Sequence, residues 1–291
     1  MTSAPQQGSS APSFSADDVR IATELLSRPL TEPVTEIVTL TDEELTALDG
    51  LQHESLTPTP WLSESAVQQA DRALATSAAM RSMMARGIVA SSTVVDPRRY
   101  EEGSHEPARM LAVPELQGVA VLRRTSDAVI IAERRTERGT AYGYFYVFHV
   151  DGGVRVLWEA FDADGFHLFF LLEGDVLAEQ LIAFVDPIGG IGEADGEVEE
   201  VPAAQFGESP TAARLAGARA VTTVLVLHRE AGDPAGFTLL ATPEAVELME
   251  TDAEGDEAVQ RVGAVSRQSL TAILEDVVAG TAPEADPAAP Q

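Results

Sequence analysis

The sequence predicts an α+β fold built on a central antiparallel sheet of about seven strands, with helical subdomains at both ends of the chain. Three observations carry this. Runs of β-branched and aromatic residues follow one another between Gly118 and Phe184 with only short turns between them, and two more such runs lie at 221–227 and 237–240. Apolar residues at helical spacing dominate both ends. Strands joined by tight turns pair antiparallel, because a parallel connection needs a crossover of about a dozen residues or more.

Residues 1–14 and 281–291 are rich in Ser, Pro and Ala and poor in large apolar side chains, so they read as disordered tails on a single domain over 15–280. Behind the start Ser15-Ala16-Asp17-Asp18, the residues Val19, Ala22, Leu25 and Leu26 recur at helical spacing. The run Val34 to Leu40 is a strand, and Thr41-Asp42-Glu43-Glu44 after it is a capping box that starts a helix ended by Asp49-Gly50. Beyond Pro58-Thr59-Pro60 the spacing predicts one long helix over 63–86, with Val67, Ala70, Leu74, Ser77, Met80, Met83 and Met84 on one stripe and Gly87 closing it. The methionines read as adaptable core filler.

Five strands are expected in the meander, at 119–125, 128–134, 142–150, 154–161 and 166–172. Asp151-Gly152 is a hairpin signal that sets Val147 against Val156 and Phe145 against Trp158; the other face then carries Tyr144, Tyr146 and Phe148 across from Glu159, Leu157 and Arg155. Leu177, Leu181 and Phe184 mark a helix ended by Asp186-Pro187. Residues 188–210, with the acidic run Glu193 to Glu200, read as a mobile loop before a helical turn at 211–217. The runs 221–227 and 237–240 join through Gly232-Asp233-Pro234, and Thr242-Pro243 reads as the cap and first residue of a short helix. A last helix over 256–278 aligns Val259, Val262, Leu270, Ile273, Leu274 and Val277. A unit of strand then acidic helix recurs at 34–48, 166–184 and 237–249, the last two sharing Gly-Phe-x-Leu at Gly165 and Gly236.

Composition narrows the function. Forty-seven acidic residues against 19 basic ones give a formal net charge of −28, which repels nucleic acid and anionic lipid within a Debye length of about 8 Å. Every basic residue is arginine, so there is no Walker lysine and no Schiff-base lysine. Cysteine is absent too, which removes disulfides, thiolate metal sites and cysteine nucleophiles. No apolar run approaches the roughly 20 residues that span a bilayer, and the N-terminus lacks the charged and apolar regions of a secretory signal. A cytoplasmic location is the expectation.

Local motifs suggest no cofactor or metal. Gly190-Ile191-Gly192 lacks the third glycine of a dinucleotide fingerprint, and Asp162-Ala163-Asp164-Gly165 begins like a calcium loop but runs into Phe166-His167-Leu168. His53, His105, His149, His167 and His228 show no metal-binding spacing, although His149 and His167 can approach across the meander. The expectation is no enzyme; the alternative is a small-molecule sensor or hydrolase with a site near Tyr144, His149 and His167. Arg123, Arg124, Arg134, Arg135 and Arg138 crowd one hairpin region of an acidic chain, either as a solvated edge or as a docking loop.

From Val34 to Val278 the order of motifs resembles the EspG-type chaperones of actinobacterial type VII secretion. The similarity rests on the strand feeding a helix at 34–48, on Met80-Arg81-Ser82-Met83-Met84-Ala85-Arg86-Gly87-Ile88-Val89, on Asp96-Pro97 and Leu111-Ala112-Val113-Pro114, and on the meander with Asp164-Gly165-Phe166-His167-Leu168-Phe169. The chain departs from the family in its acidic 193–200 loop, its Pro-rich tails and its short turn at Thr125-Ser126-Asp127. The resemblance implies a sheet with pseudo-twofold halves and cytosolic binding of a helical-hairpin secretion substrate, of PE–PPE or WxG type, without chemistry. Such a partner needs an apolar groove with directional contacts around it. Val262, Leu270, Ile273 and Leu274 on the last helix are the candidates for the groove, and Arg134, Arg135, Arg138 and Tyr142 for its rim.

Overall fold

The Thr41 capping box forms as expected: Thr41 Oγ1 accepts the Glu44 N–H and the Glu44 carboxylate accepts the Thr41 N–H, each at 3.3 Å. A computed structural model describes this and the rest of residues 14–51, 55–64, 69–95, 110–229, 234–251 and 258–280. The expected tails, the turn at Gly232-Asp233, Val67, Asp96-Pro97, His53 and His105 lie outside the described residues, except that Phe14 packs against the core.

The chain runs α1 (Ala16–Leu26), β1 (Val34–Thr41), α2 (Asp42–Asp49), α3 (Pro60–Glu64), α4 (Gln69–Ala85), β2 (Val89–Ser91), α5 (Ser92–Val95), β3 (Met110–Ala112) and α6 (Pro114–Thr125). The meander follows as β4 (Ala128–Thr136), β5 (Gly139–Val150), β6 (Gly153–Asp162) and β7 (Phe166–Glu173), then α7 (Leu177–Val185), β8 (Glu199–Pro202) and α8 (Pro210–Leu215). A second meander, β9 (Ala220–His228), β10 (Ala235–Ala241), β11 (Val246–Thr251) and β12 (Val259–Ala264), leads into α9 (Arg267–Gly280).

Ten strands form one antiparallel sheet in the order β1-β7-β6-β5-β4-β9-β10-β11-β12-β8, and β2 pairs with β3 apart from it. The strand order is the same read outward from the central β4–β9 pair, where Ala132 faces Val224. Each half is an edge strand, a helix, a four-strand meander and a second helix. On one face α7 and α9 cover a core that includes Phe145, Val156, Leu181, Val224 and Leu270. On the other, α1, α2, α4 and α6 cover the first half through Leu25, Leu45, Met83, Leu122 and Phe169, whereas α8 covers the second through Leu215. The first half also carries α2 through β3 between its edge strand and its helix, where the second half has only a 3-10 turn over Ala203–Glu208.

Where pairing is local, the expected registers hold. Val147 faces Val156, Phe145 faces Trp158, and Tyr144, Tyr146 and Phe148 face Glu159, Leu157 and Arg155. Elsewhere competing forces decide. The run 119–125 is helix rather than strand: Pro114 sits at its start and Leu116, Val119 and Leu122 face the core at helical spacing. Thr242-Pro243 is a hairpin turn instead of a helix start, since Thr242 Oγ1 accepts the N–H groups of Glu244 and Ala245, so 246–251 becomes strand. The last helix is really β12 and α9, split at Ser266, whose Oγ accepts the Ser269 N–H.

The stretch 188–210 is not featureless either: Asp195 accepts the Ser266 N–H and the Ser269 hydroxyl, each at 2.7 Å, and 199–202 pairs with β12 as an edge strand. Of the expected long helix the described residues are helical on both sides of 65–68, as α3 and α4, and Leu74 points outward at 70% exposure while Met83 is buried. The shared Gly-Phe-x-Leu starts β7 in one place and lies within β10 in the other, so it does not mark equivalent positions of the two halves.

Candidate functional site

Two features of the first half combine charge with apolar surroundings. One is sealed. His167 projects from β7 between two carboxylates, with Nε2 2.7 Å from Asp42 Oδ1 and Nδ1 2.7 Å from Glu159 Oε1, and all three side chains are inaccessible to water. With both carboxyls ionised, both bonds form only when each ring nitrogen carries a proton. Phe161 stacks on the ring at 4.3 Å. Glu159 Oε2 accepts the Tyr146 hydroxyl at 2.8 Å and Arg123 Nε at 3.1 Å, and Arg123 reaches on to Asp49 Oδ2 at 3.0 Å and to Ser55 and Thr57. Arg124 closes the chain on Asp49 Oδ1 at 2.6 Å. Three carboxylates thus alternate with three cations.

Electrostatics follow from this. Burial works against the charge on His167, but Asp42 and Glu159 outweigh it and hold the imidazolium above its ordinary range. Burial likewise opposes ionisation of Glu159, and Arg123 and His167 overcome it and keep the carboxyl below its usual range. Burial and the Glu159 charge push the Tyr144 and Tyr146 phenols upward.

The second feature is open. Where β4 turns into β5, β6 turns into β7 and β9 begins, a groove of about 650 Å³ is lined by Arg134, Arg138 and Arg219, the last paired with Glu137 at 3.5 Å, on one side and by Asp162 and Asp164 on the other. Past Arg134 and Ala141 it continues into a trough walled by Trp158, Phe166, Leu168 and Phe184. Phe166 is half exposed. Trp158 is sandwiched between Phe145 and Phe170, at centroid distances of 5.4 and 5.0 Å, which fixes the trough floor.

The expected rim residues divide accordingly. Arg134 and Arg138 line this groove, while Arg135 projects from the opposite face of β4 and pairs with Glu133 at 2.6 Å; Tyr142, opposite Glu133, turns to that same face and stacks on Phe161 at 4.9 Å, so it only borders the trough. Arg134 is also structural: Nη1 donates to the Phe184 carbonyl at the end of α7 at 2.6 Å, the guanidinium lies over the Phe184 ring, and burial lowers its pKa. Arg134→Ala should therefore cost about 1–2 kcal/mol through the lost bond to a helix end, measured by urea denaturation, whereas Arg138→Ala should leave the midpoint unchanged.

The expected apolar groove on the last helix needs correction. Val262 lies on β12, facing Leu215 and Leu240, and is fully buried; Leu270 and Leu274 are buried in the core beneath α9, and Ile273 packs against them. Val262, Leu270 and Leu274 hold the fold together and offer no open surface, and Ile273 is partly exposed. His149 and His167 do not meet, because the antiparallel register puts His149 opposite Val154 near one end of the sheet and His167 opposite Leu40 near the other. His149 bonds Asp127 through its N–H, at 2.7 Å.

Asp42, Glu159 and Arg123 escaped sequence reasoning as a set, since nothing local distinguishes two carboxylates among 47 acidic residues. The one available signal was Asp42 in the first turn of a capped helix. Neither a family model nor a curated protein matches the chain. No helix among the described residues is long and apolar enough to cross a membrane.

Proposed function

We propose that the protein is a non-catalytic, cytoplasmic adaptor that binds and shields a helical protein partner, of the helical-hairpin type VII secretion class that the EspG resemblance implies. The observation that carries this reading is the open groove, in which arginines, aspartates and an aromatic trough lie side by side at the end of the sheet. A helical tip with an apolar residue fills the trough, and its flanking charges meet Arg138 and the Arg219–Glu137 pair on one wall and Asp162 and Asp164 on the other. Rim charges of this kind set register and encounter rate, and aromatic residues supply the buried anchor. The groove contains none of Tyr144, His149 and His167, around which a hydrolase or sensor site was sought.

Co-expression with the small helical secretion substrates encoded beside the gene, followed by size exclusion, tests the reading. Arg138→Ala with Phe166→Ala removes one rim charge and the exposed wall of the trough. Both side chains sit at the surface, so stability should move by less than about 0.5 kcal/mol each while the complex elutes apart. Full binding by the double variant would take the groove out of the reading, and failure of every substrate to co-elute would end the adaptor proposal.

A further inference from the structure

The two halves differ most where the sealed network lies. Their registers place Tyr146, Glu159, Phe169 and His167 at the positions held in the second half by Leu240, Met249, Val262 and Gln260. Leu215 precedes β9 as Arg123 precedes β4. Thus an apolar cluster of Leu215, Leu240 and Val262 with Met249 closes one half, and a charged chain closes the other. The charged chain occurs where α2 and α3 have been added.

Apart from that chain, α2 is held by the Glu44–Arg86 ion pair and by Ala47 and Leu48 against the core. Among the described residues α2 buries one large apolar side chain, Leu45, and α3 one, Leu62. Asp42 does the fastening: one oxygen faces the His167 ring, the other accepts the Leu62 N–H at 3.1 Å, and its own N–H donates to the Gly165 carbonyl at 2.9 Å. Asp49 and the Ser55 and Thr57 hydroxyls meet Arg123 from the same side.

We propose that α2 and α3 form an arm latched to the sheet by the second proton of His167, held while the ring is charged and released, with both meanders still folded, when the ring is neutral. The charged and titratable groups around the ring are Asp42 from α2, Glu159 from β6 and, through Glu159, Arg123 from α6 and Tyr146 from β5; Asp49 and Arg124 complete the chain. Because the Tyr144 and Tyr146 phenols are pushed upward and arginine keeps its proton, the ring is the first of these to lose charge as the pH rises. A neutral imidazole has one N–H, so one of two buried carboxylates loses its donor. The histidine pKa is raised, so the latch contribution is complete below the ordinary histidine value and disappears as the pH climbs through the raised one.

Amide hydrogen exchange on the full chain, read by mass spectrometry at pH 7 and pH 10 and corrected for intrinsic rates, tests this. Protection over 42–49 and at Leu62 should fall at least tenfold further than protection over 128–136 and 220–228. His167→Gln, which copies Gln260, should expose the arm at pH 7 and abolish the differential response to pH. Asp42→Asn should weaken the arm at pH 7 while the meanders keep their protection, and it decides the matter if His167→Gln does not fold. Loss of protection in arm and meanders together, equal changes in both at pH 10, or a wild-type response in either variant would overturn the proposal.

Discussion

Glu159→Met should destabilise the protein by about 3–5 kcal/mol, the scale on which one partner of a buried ion network is lost. The substitution copies Met249 at the corresponding place in the second half, so its shape is one that this fold accepts. The cost arises from what it strands: Arg123 Nε, His167 Nδ1 and the Tyr146 hydroxyl all donate to Glu159, and none has water to turn to. Converting the neighbours as well, with Arg123→Leu, Tyr146→Leu and His167→Gln, installs the apolar solution of the second half and should recover most of the loss. Buried ion pairs replaced by well-packed apolar groups are often neutral or stabilising. Urea midpoints of the single and fourfold variants decide the matter: a fourfold variant weaker than Glu159→Met would mean that the charged chain contributes net stability of its own.

Gly165→Ala should cost about 2–4 kcal/mol, from left-handed backbone strain and overpacking together. Gly165 has φ +70°, and a Cβ there would stand 2.7 Å from the Trp61 Cβ and 2.9 Å from the Asp42 carboxyl carbon. Relief requires α2 or α3 to move, and both carry the contacts that hold His167. Gly139→Ala, at a φ of +128° with nothing within 4 Å, is the control for backbone strain alone. Equal shifts in thermal midpoint for the two would show that the packing around Gly165 yields freely.

How far the fold could be read from sequence depended on the range of the deciding interaction. The β5–β6 register was readable because the Asp151-Gly152 turn fixes it locally and one slip would turn every side chain to the wrong face. The β11 strand was not, because the same Thr-Pro pair starts a helix or turns a hairpin, and only pairing of Leu248 with Leu239 and Gly263 settles which. The α6 helix carries valines that suit a strand, and burial of Leu116, Val119 and Leu122 against the opposite face of the sheet overrides that preference. Of the candidate site, Arg134 and Arg138 were legible from arginine density in an acidic chain. The trough of Trp158, Leu168, Phe166 and Phe184 was not, since it joins residues from two strands, a strand start and a helix end. The sealed network lay further out of reach, because Asp42 and His167 meet only when the first edge strand closes on the fourth strand of the meander.

That closure also orders the events of folding. The β4–β7 and β9–β12 meanders pair neighbours in sequence, so each hairpin closes a short loop at small entropic expense. β1 is made early but pairs only with β7, across α2 through β6. During synthesis its apolar run Ile37-Val38 waits without a partner until the first meander is complete; β8 waits likewise for β12, but with only α8 and three strands of the second meander between them. The N-terminal edge is therefore the segment most exposed to mispairing in the nascent chain, and a strand-compatible sequence followed at once by three acidic residues, Asp42, Glu43 and Glu44, carries its own charge against aggregation while it waits.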